Sequence, residues 1–155
     1  MNIPTSTAII FNIDGIRIAK FKQWVNRLCP VIKAIDKGQS FICAVAHMNI
    51  AIMAGKTGKP VVEECDGGLI KMVVPVIVDG QMIGGFSGCG FVSENGEVDT
   101  FMINRTTGIE EEKLVSLSED IPVLTQKRAD EIVEFIQNRI NTIIDQYQIN
   151  KNQES

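Results

Sequence analysis

Residues 57–90, TGKPVVEECDGGLIKMVVPVIVDGQMIGGFSGCG, constrain the fold more tightly than any other stretch of the chain. They spell a short strand, a turn at Cys65-Asp66-Gly67-Gly68, a long apolar strand, an Asp79-Gly80 turn and a glycine-studded return strand. An Asp-Gly pair between two apolar runs predicts a hairpin, because both central residues of a type I′ turn take positive φ. The return strand sets Gly84, Gly85, Gly88 and Gly90 around Phe86 and Cys89. Glycine weakens a strand unless its backbone must be approached closely or must bulge. A sheet surface bared of side chains beside Cys65 and Cys89 predicts the floor of a pocket; glycines that merely bend the sheet are the alternative. Pro75 removes a ladder donor from a strong strand, which predicts an edge position or a bulge. A bulge near Gly84 and Gly85 would open the sheet to a ligand.

The flanking segments supply further elements. Residues 8–13 read as a strand ending at Asp14-Gly15. Residues 18–28 carry Phe21, Trp24, Val25 and Leu28 at helical spacing, with Pro30 breaking or restarting the helix before residues 31–35. Ser40 is placed to cap a helix running to about Ala54, ended by Gly55, Lys56 and Pro60. That helix is apolar nearly all round, which predicts burial. Residues 97–104 alternate in polarity and suit a strand. Thr107-Gly108 leads into a helix whose first turn holds Glu110, Glu111 and Glu112, favourable at its positive dipole end. From Gln126 to about Tyr147 a last helix aligns Ile132, Ile136, Ile140, Ile143 and Tyr147, and residues 150–155 are expected to fray. With no repeat and no linker, residues 1–155 read as a single domain.

Composition narrows the function classes. At 155 residues and 45% hydrophobic content the chain can bury a sizeable core. Its net charge of −4, with no basic cluster beyond Gln126-Lys127-Arg128, argues against direct nucleic-acid binding. No segment approaches 18 consecutive apolar residues, and residues 1–7 lack a basic stretch leading into an apolar one. The expectation is a cytoplasmic protein without a membrane span. In that compartment four cysteines are free thiols or metal ligands rather than disulfides.

Cys43 and His47 lie four apart on an expected helix and share a face. With Cys65 and Cys89 they would make a thiolate-rich metal set suited to zinc, an iron–sulfur cluster or haem. No CxxC pair fixes half of such a site, so closure would depend on the fold. Small buried hydrophobes are the blander reading of these cysteines, and a reactive redox thiol, led by Cys65, is a third.

Catalytic motifs are turned away. Residues 54–59, AGKTGK, resemble the end of a phosphate-binding loop, but Ile50 stands where its first glycine belongs and the segment follows a helix. The run Gly85-Phe86-Ser87-Gly88-Cys89 ends in cysteine rather than the glycine of a nucleophile elbow. Glu63 and Glu64 alternate across a strand. Recognition without catalysis fits better. Met48, Met53, Met72, Met82 and Met102 are spread over elements expected around a cavity, with His47, Asp66, Lys71 and Ser87 as the polar groups to orient a ligand.

The turn Cys65-Asp66-Gly67-Gly68-Leu69, the step Val74-Pro75-Val76 and the glycines from Gly80 to Gly90 together resemble the PocR-type sensory domain, a PAS/GAF-like module of bacterial regulators. Two positions depart from that family's pattern: Asp66 where a histidine is common, and Cys89 where a glutamine often follows the glycines. The resemblance covers residues 29–121. It implies an α+β, PAS/GAF-like antiparallel sheet flanked by helices, with a long C-terminal helix. It also implies a small organic ligand, such as a short-chain diol or hydrocarbon derivative, held between the glycine-rich sheet and a buried helix. The candidate ligand-binding residues are Cys43, His47, Cys65, Asp66, Leu69, Met72, Gly84, Gly85, Ser87 and Cys89. Such modules are usually fused to a DNA-binding or kinase unit, and neither is legible here. Output to signalling or transcription regulation is therefore expected through a separate effector protein, with the Ile stripe of the last helix as relay or homodimer surface.

Overall fold

The Asp79-Gly80 turn takes positive φ at both residues, 51° and 77°, as the hairpin reading requires. It joins β4 (Ile70–Val78) to β5 (Gln81–Ser93), the two long strands at the centre of the sheet. The computed structural model describes residues 7–21 and 23–155. Around the central pair lie β1 (Thr7–Asn12), β2 (Arg17–Phe21) and β3 (Val61–Glu64), in the antiparallel order β2-β1-β5-β4-β3. A short β6 (Val123–Leu124) pairs parallel to the end of β5. The helices are α1 (Leu28–Lys33), α2 (Asp36–Gly38), α3 (Val45–Thr57), α4 (Thr100–Thr107), α5 (Glu111–Ser118) and α6 (Gln126–Glu154). This is an α+β fold, an antiparallel sheet with flanking helices and a long C-terminal helix, as expected.

The β4–β5 ladder shifts register twice. Ile77 pairs with Met82 and Val76 with Gly84, so Ile83 is the extra residue of one bulge. Ile70 pairs with Phe91 and Lys71 with Cys89, so Gly90, at φ 117°, is the extra residue of the other. Pro75 is tolerated because β3 has already ended: Val61 pairs with Val73, and among the described residues the strand has no neighbour on that side at Pro75.

Alternation along the strands sorts the core onto two faces. Ile9, Phe11 and Val73 pack under Ile50 and Ala54 of α3. Ile70, Met72, Val74 and Phe91 pack on Ala129, Ile132 and Ile136 of α6. At the end of the sheet, Leu28 and Ile32 of α1 meet Leu69, Ile103 of α4 and Leu114 of α5.

Four sequence expectations are corrected. The helical spacing over residues 18–28 is overridden: Arg17–Phe21 is a strand paired with β1, and helix begins only at Leu28. The Asn12 side chain drives this by accepting hydrogen bonds from the backbone N–H groups of Asp14 (3.0 Å) and Ile16 (2.9 Å), which turns the chain back. Residues 97–104 do not form a strand; Asp99 caps α4 by accepting from the Met102 N–H at 2.8 Å. The central helix starts before Ser40, runs through a π-helical turn (Gln39–Ala44), and ends at Gly58 in the left-handed conformation rather than at Gly55. It is also one-sided: Ala46, Ile50 and Ala54 are buried, while Phe41, Met48 and Ile52 are exposed. By length and composition alone the run Asp36–Thr57, 22 residues at mean hydropathy 1.2, is long and apolar enough to cross a membrane. Finally, α6 continues through the expected frayed tail to Glu154, and Ile143 and Tyr147 of its stripe are exposed.

Candidate functional site

The Gly90 bulge re-aims the end of β5 and places Cys89 opposite Lys71, on the face under α1 and the π-helical turn. Asn26 locks the bulge in place. Its side-chain amide, buried just before α1, donates to the Gly90 carbonyl at 2.7 Å and to the Cys29 sulfur at 3.3 Å. Its oxygen accepts from the Cys29 backbone N–H at 2.7 Å. A Cβ on Gly90 would come within 2.6 Å of Val25, so the close approach of this loop requires glycine.

Cys65 is presented by the turn that links β3 to β4. The Cys65 N–H donates to the Leu69 carbonyl at 2.8 Å, and the Gly68 N–H donates to the Cys65 carbonyl at 2.9 Å. Gly68 holds φ 82°, and a Cβ there would strike the Glu97 carbonyl. Cys43 comes from the π-helical turn and Cys29 from α1. All four cysteines are free.

These elements enclose a cavity of about 30 Å³, walled by Cys29, Cys43, Cys65, Cys89, Leu69 and Lys71, with Ile32, Ile42 and Ala46 completing its apolar side. It adjoins a wider, more polar recess of about 330 Å³ that shares Lys33, Cys43 and Lys71 and adds Arg17, Asp14 and His47. Beyond His47 and Met48 an open groove of about 640 Å³ continues toward the Asp79-Gly80 hairpin.

Electrostatics differ sharply between the two chambers. Burial raises the Cys29 thiol to about 12, with the nearby Cys89 sulfur adding to the effect. Burial likewise raises Cys43 and Cys65, so these three are protonated thiols at neutral pH. His47 is lowered to about 4, first by burial and then by the positive charges of Lys71, Arg17 and Lys33. It is a neutral imidazole, set edge-on to Phe11 with ring centroids 4.7 Å apart.

The structure brings Cys43, Cys65, Leu69 and Cys89 together, and adds Cys29 and Lys71. His47 stands in the neighbouring recess, and Asp66 is exposed at its turn. Met72 packs on the opposite face against α6. Ser87 is buried within the sheet, where it pairs with Ile9 and Val73. Gly84 and Gly85 are bare for packing: a Cβ on Gly84 would strike the Phe11 carbonyl, and one on Gly85 would come within 2.7 Å of the Phe11 ring. Among the described residues no three His, Cys, Asp or Glu side chains stand where they could share a metal ion.

Asn26, Lys33 and Arg17 escaped the sequence reading. Lys71 was legible in the sequence as a polar group to orient a ligand, the one charge inside the apolar run Ile70–Val78. Lys33 and Arg17 left no such signal, because only the packing of α1 and the β1–β2 hairpin carries them to the recess.

The family model described as the sensory domain found in PocR matches residues 3–147. No curated protein and no solved structure matches the chain. Matched over nearly its whole length, this chain belongs to the family of the sensory domain found in PocR.

Proposed function

We propose that this chain is a sensor that binds a small organic molecule between the central sheet and the α1–α3 helices, and that it signals without catalysing a reaction. The observation that carries this reading is the pair of adjoining chambers on one face of the sheet, one apolar and thiol-lined, the other polar. A mostly apolar enclosure with a few convergent polar groups is the usual make-up of a small-molecule site. Membership of a sensory-domain family supports the same role. The output runs to a separate effector protein in signalling or transcription regulation. Its relay is the second half of α6, beyond Ile136, where Ile143, Tyr147 and Ile149 are exposed and offer an apolar surface to a partner or a second copy.

The test is a thermal-shift screen of small organic molecules, run with metal analysis of protein purified without air. A ligand present at about 100 times its Kd adds about 2.7 kcal/mol of stability. A saturable rise in Tm with metal-free protein supports the sensor. Near-stoichiometric zinc or iron, lost on Cys43→Ala and Cys65→Ala, would replace it with a cysteine-ligated metal protein that responds to redox state or gas.

A further inference from the structure

Lys71 is 5% exposed, yet it is the second residue of an otherwise apolar central strand. Among the described residues no carboxylate pairs with it and no protein group accepts a hydrogen bond from it; the two ion pairs join Arg27 to Asp120 and Arg128 to Glu131. Its stem is buried, but among the described residues no side-chain nitrogen is sealed from solvent without a partner, so the ammonium reaches open space, where an anion can serve as its partner charge. Lys71 lines both chambers, so the place for that partner is the cavity space itself.

The surrounding charges have the same sign. Lys33 lines both chambers, with its ammonium held 5.3 Å over the Trp24 ring, and Arg17 lines the polar recess. Against these three cations the recess offers one carboxylate, Asp14. Apart from Lys33 and Lys71 the inner chamber is lined by thiols, aliphatic side chains and Gly90, and that apolar lining suits a short alkyl end rather than a second polar group.

We infer that the ligand is a short-chain aliphatic monocarboxylate, with its carboxylate between Lys71 and Lys33 in the polar recess and its alkyl end in the thiol-lined cavity. Arg17 adds long-range attraction at the mouth. This inference rests on the sensor reading and names the chemical class of its ligand. A lysine ammonium suits the role because it is a compact point charge that can meet a carboxylate from several directions.

The experiment is titration calorimetry on the full chain with the sodium salts from acetate to hexanoate, at ionic strength held constant with chloride. Short-chain alcohols and diols serve as the neutral series. The expected result is saturable one-to-one binding of the short acids, weaker binding of the alcohols, and a loss of about tenfold or more in acid affinity in Lys71→Met, as expected for a charge-assisted contact. His47 is the chain's single histidine, so its ring proton resonances report on the recess and should shift as the acid saturates. If Lys71→Met does not fold, Lys33→Met with Arg17→Ala takes its place, and the combined loss should again be about tenfold. Alcohols or diols that bind as well as the acids, with Lys71→Met unaffected, would overturn the carboxylate while leaving the sensor in place. Acids that bind without moving the His47 resonances or responding to either variant would overturn the site. Failure of both series would overturn the carboxylate, and the broader screen would then decide the sensor reading.

Discussion

Lys71 stands opposite Cys89 in the β4–β5 ladder, which puts their side chains on one buried sheet face, both lining the inner chamber. Among the described residues no carboxylate pairs with the Lys71 ammonium, and Lys33 and Arg17 line the same recess with like charge, so in the empty protein it is a modest cost to folding. Lys71→Met keeps the volume and removes the charge. The expected gain is about 1 kcal/mol, read as a rise of about 2–4 °C in Tm without ligand. A drop in Tm of the same size would mean that the ammonium serves the fold.

Asn26 satisfies the Gly90 carbonyl and the Cys29 N–H at once. In Asn26→Ala both are left buried without a partner, at a cost of about 2–3 kcal/mol. Urea unfolding measures the loss, and the same variant should weaken ligand binding because the bulge that positions Cys89 is no longer tied to α1. A loss below about 0.5 kcal/mol would show that water or a neighbour replaces the bonds.

Gly84 and Gly85 of β5 serve packing against Phe11, and substitution tests that directly. Gly84→Ala drives a Cβ into the Phe11 carbonyl and should cost about 3 kcal/mol. Gly58→Ala meets nothing within 4 Å and carries only the strain of φ 66°, about 1 kcal/mol. Equal Tm shifts for the two variants would contradict the close approach of β1 to β5.

Stability should fall at both ends of the pH scale for named reasons. His47 is lowered from 6.5 to about 4, so between those values the unfolded chain binds the proton more readily, and stability is lost as pH falls through this window. His47→Gln should flatten that part of the profile. Cys29 is raised from 9.0 to about 12, so its contribution is complete below pH 9 and is lost as pH climbs toward 12. Cys29→Ala should flatten the alkaline limb. Urea midpoints from pH 4 to pH 11, compared among the three proteins, check both signs.

Much of the fold was legible because its signals are local. Asp79-Gly80 announced its own turn, the run Ile70–Val78 its own strand, and Glu111 and Glu112 the start of α5. The Ile132–Ile136 stripe announced the face of α6 that packs on the sheet. A residue's φ preference and its spacing to near neighbours are written in the chain, and these elements depend on little else. Where partners are distant, local signals misled. The helical spacing of Phe21, Trp24 and Leu28 yielded to pairing with β1, and the alternation around Val98 and Met102 yielded to the Asp99 cap. The apolar residues of α3 divide between core and solvent only because the sheet covers one side of that helix.

The site divides along the same line. Its cysteine chemistry was present in the composition, and the glycine turn beside Cys65 pointed to the right end of the sheet. The chambers themselves belong to the tertiary structure. Cys29, Cys43, Cys65 and Cys89 sit on four different elements; Lys33 arrives on α1 with Cys29, and Arg17 arrives on the β1–β2 hairpin. Spacing along a chain carries no information on contacts made across it. Which thiols share a wall, and which buried lysine lacks a counter-charge, is therefore decided only when the sheet closes against α1 and α3.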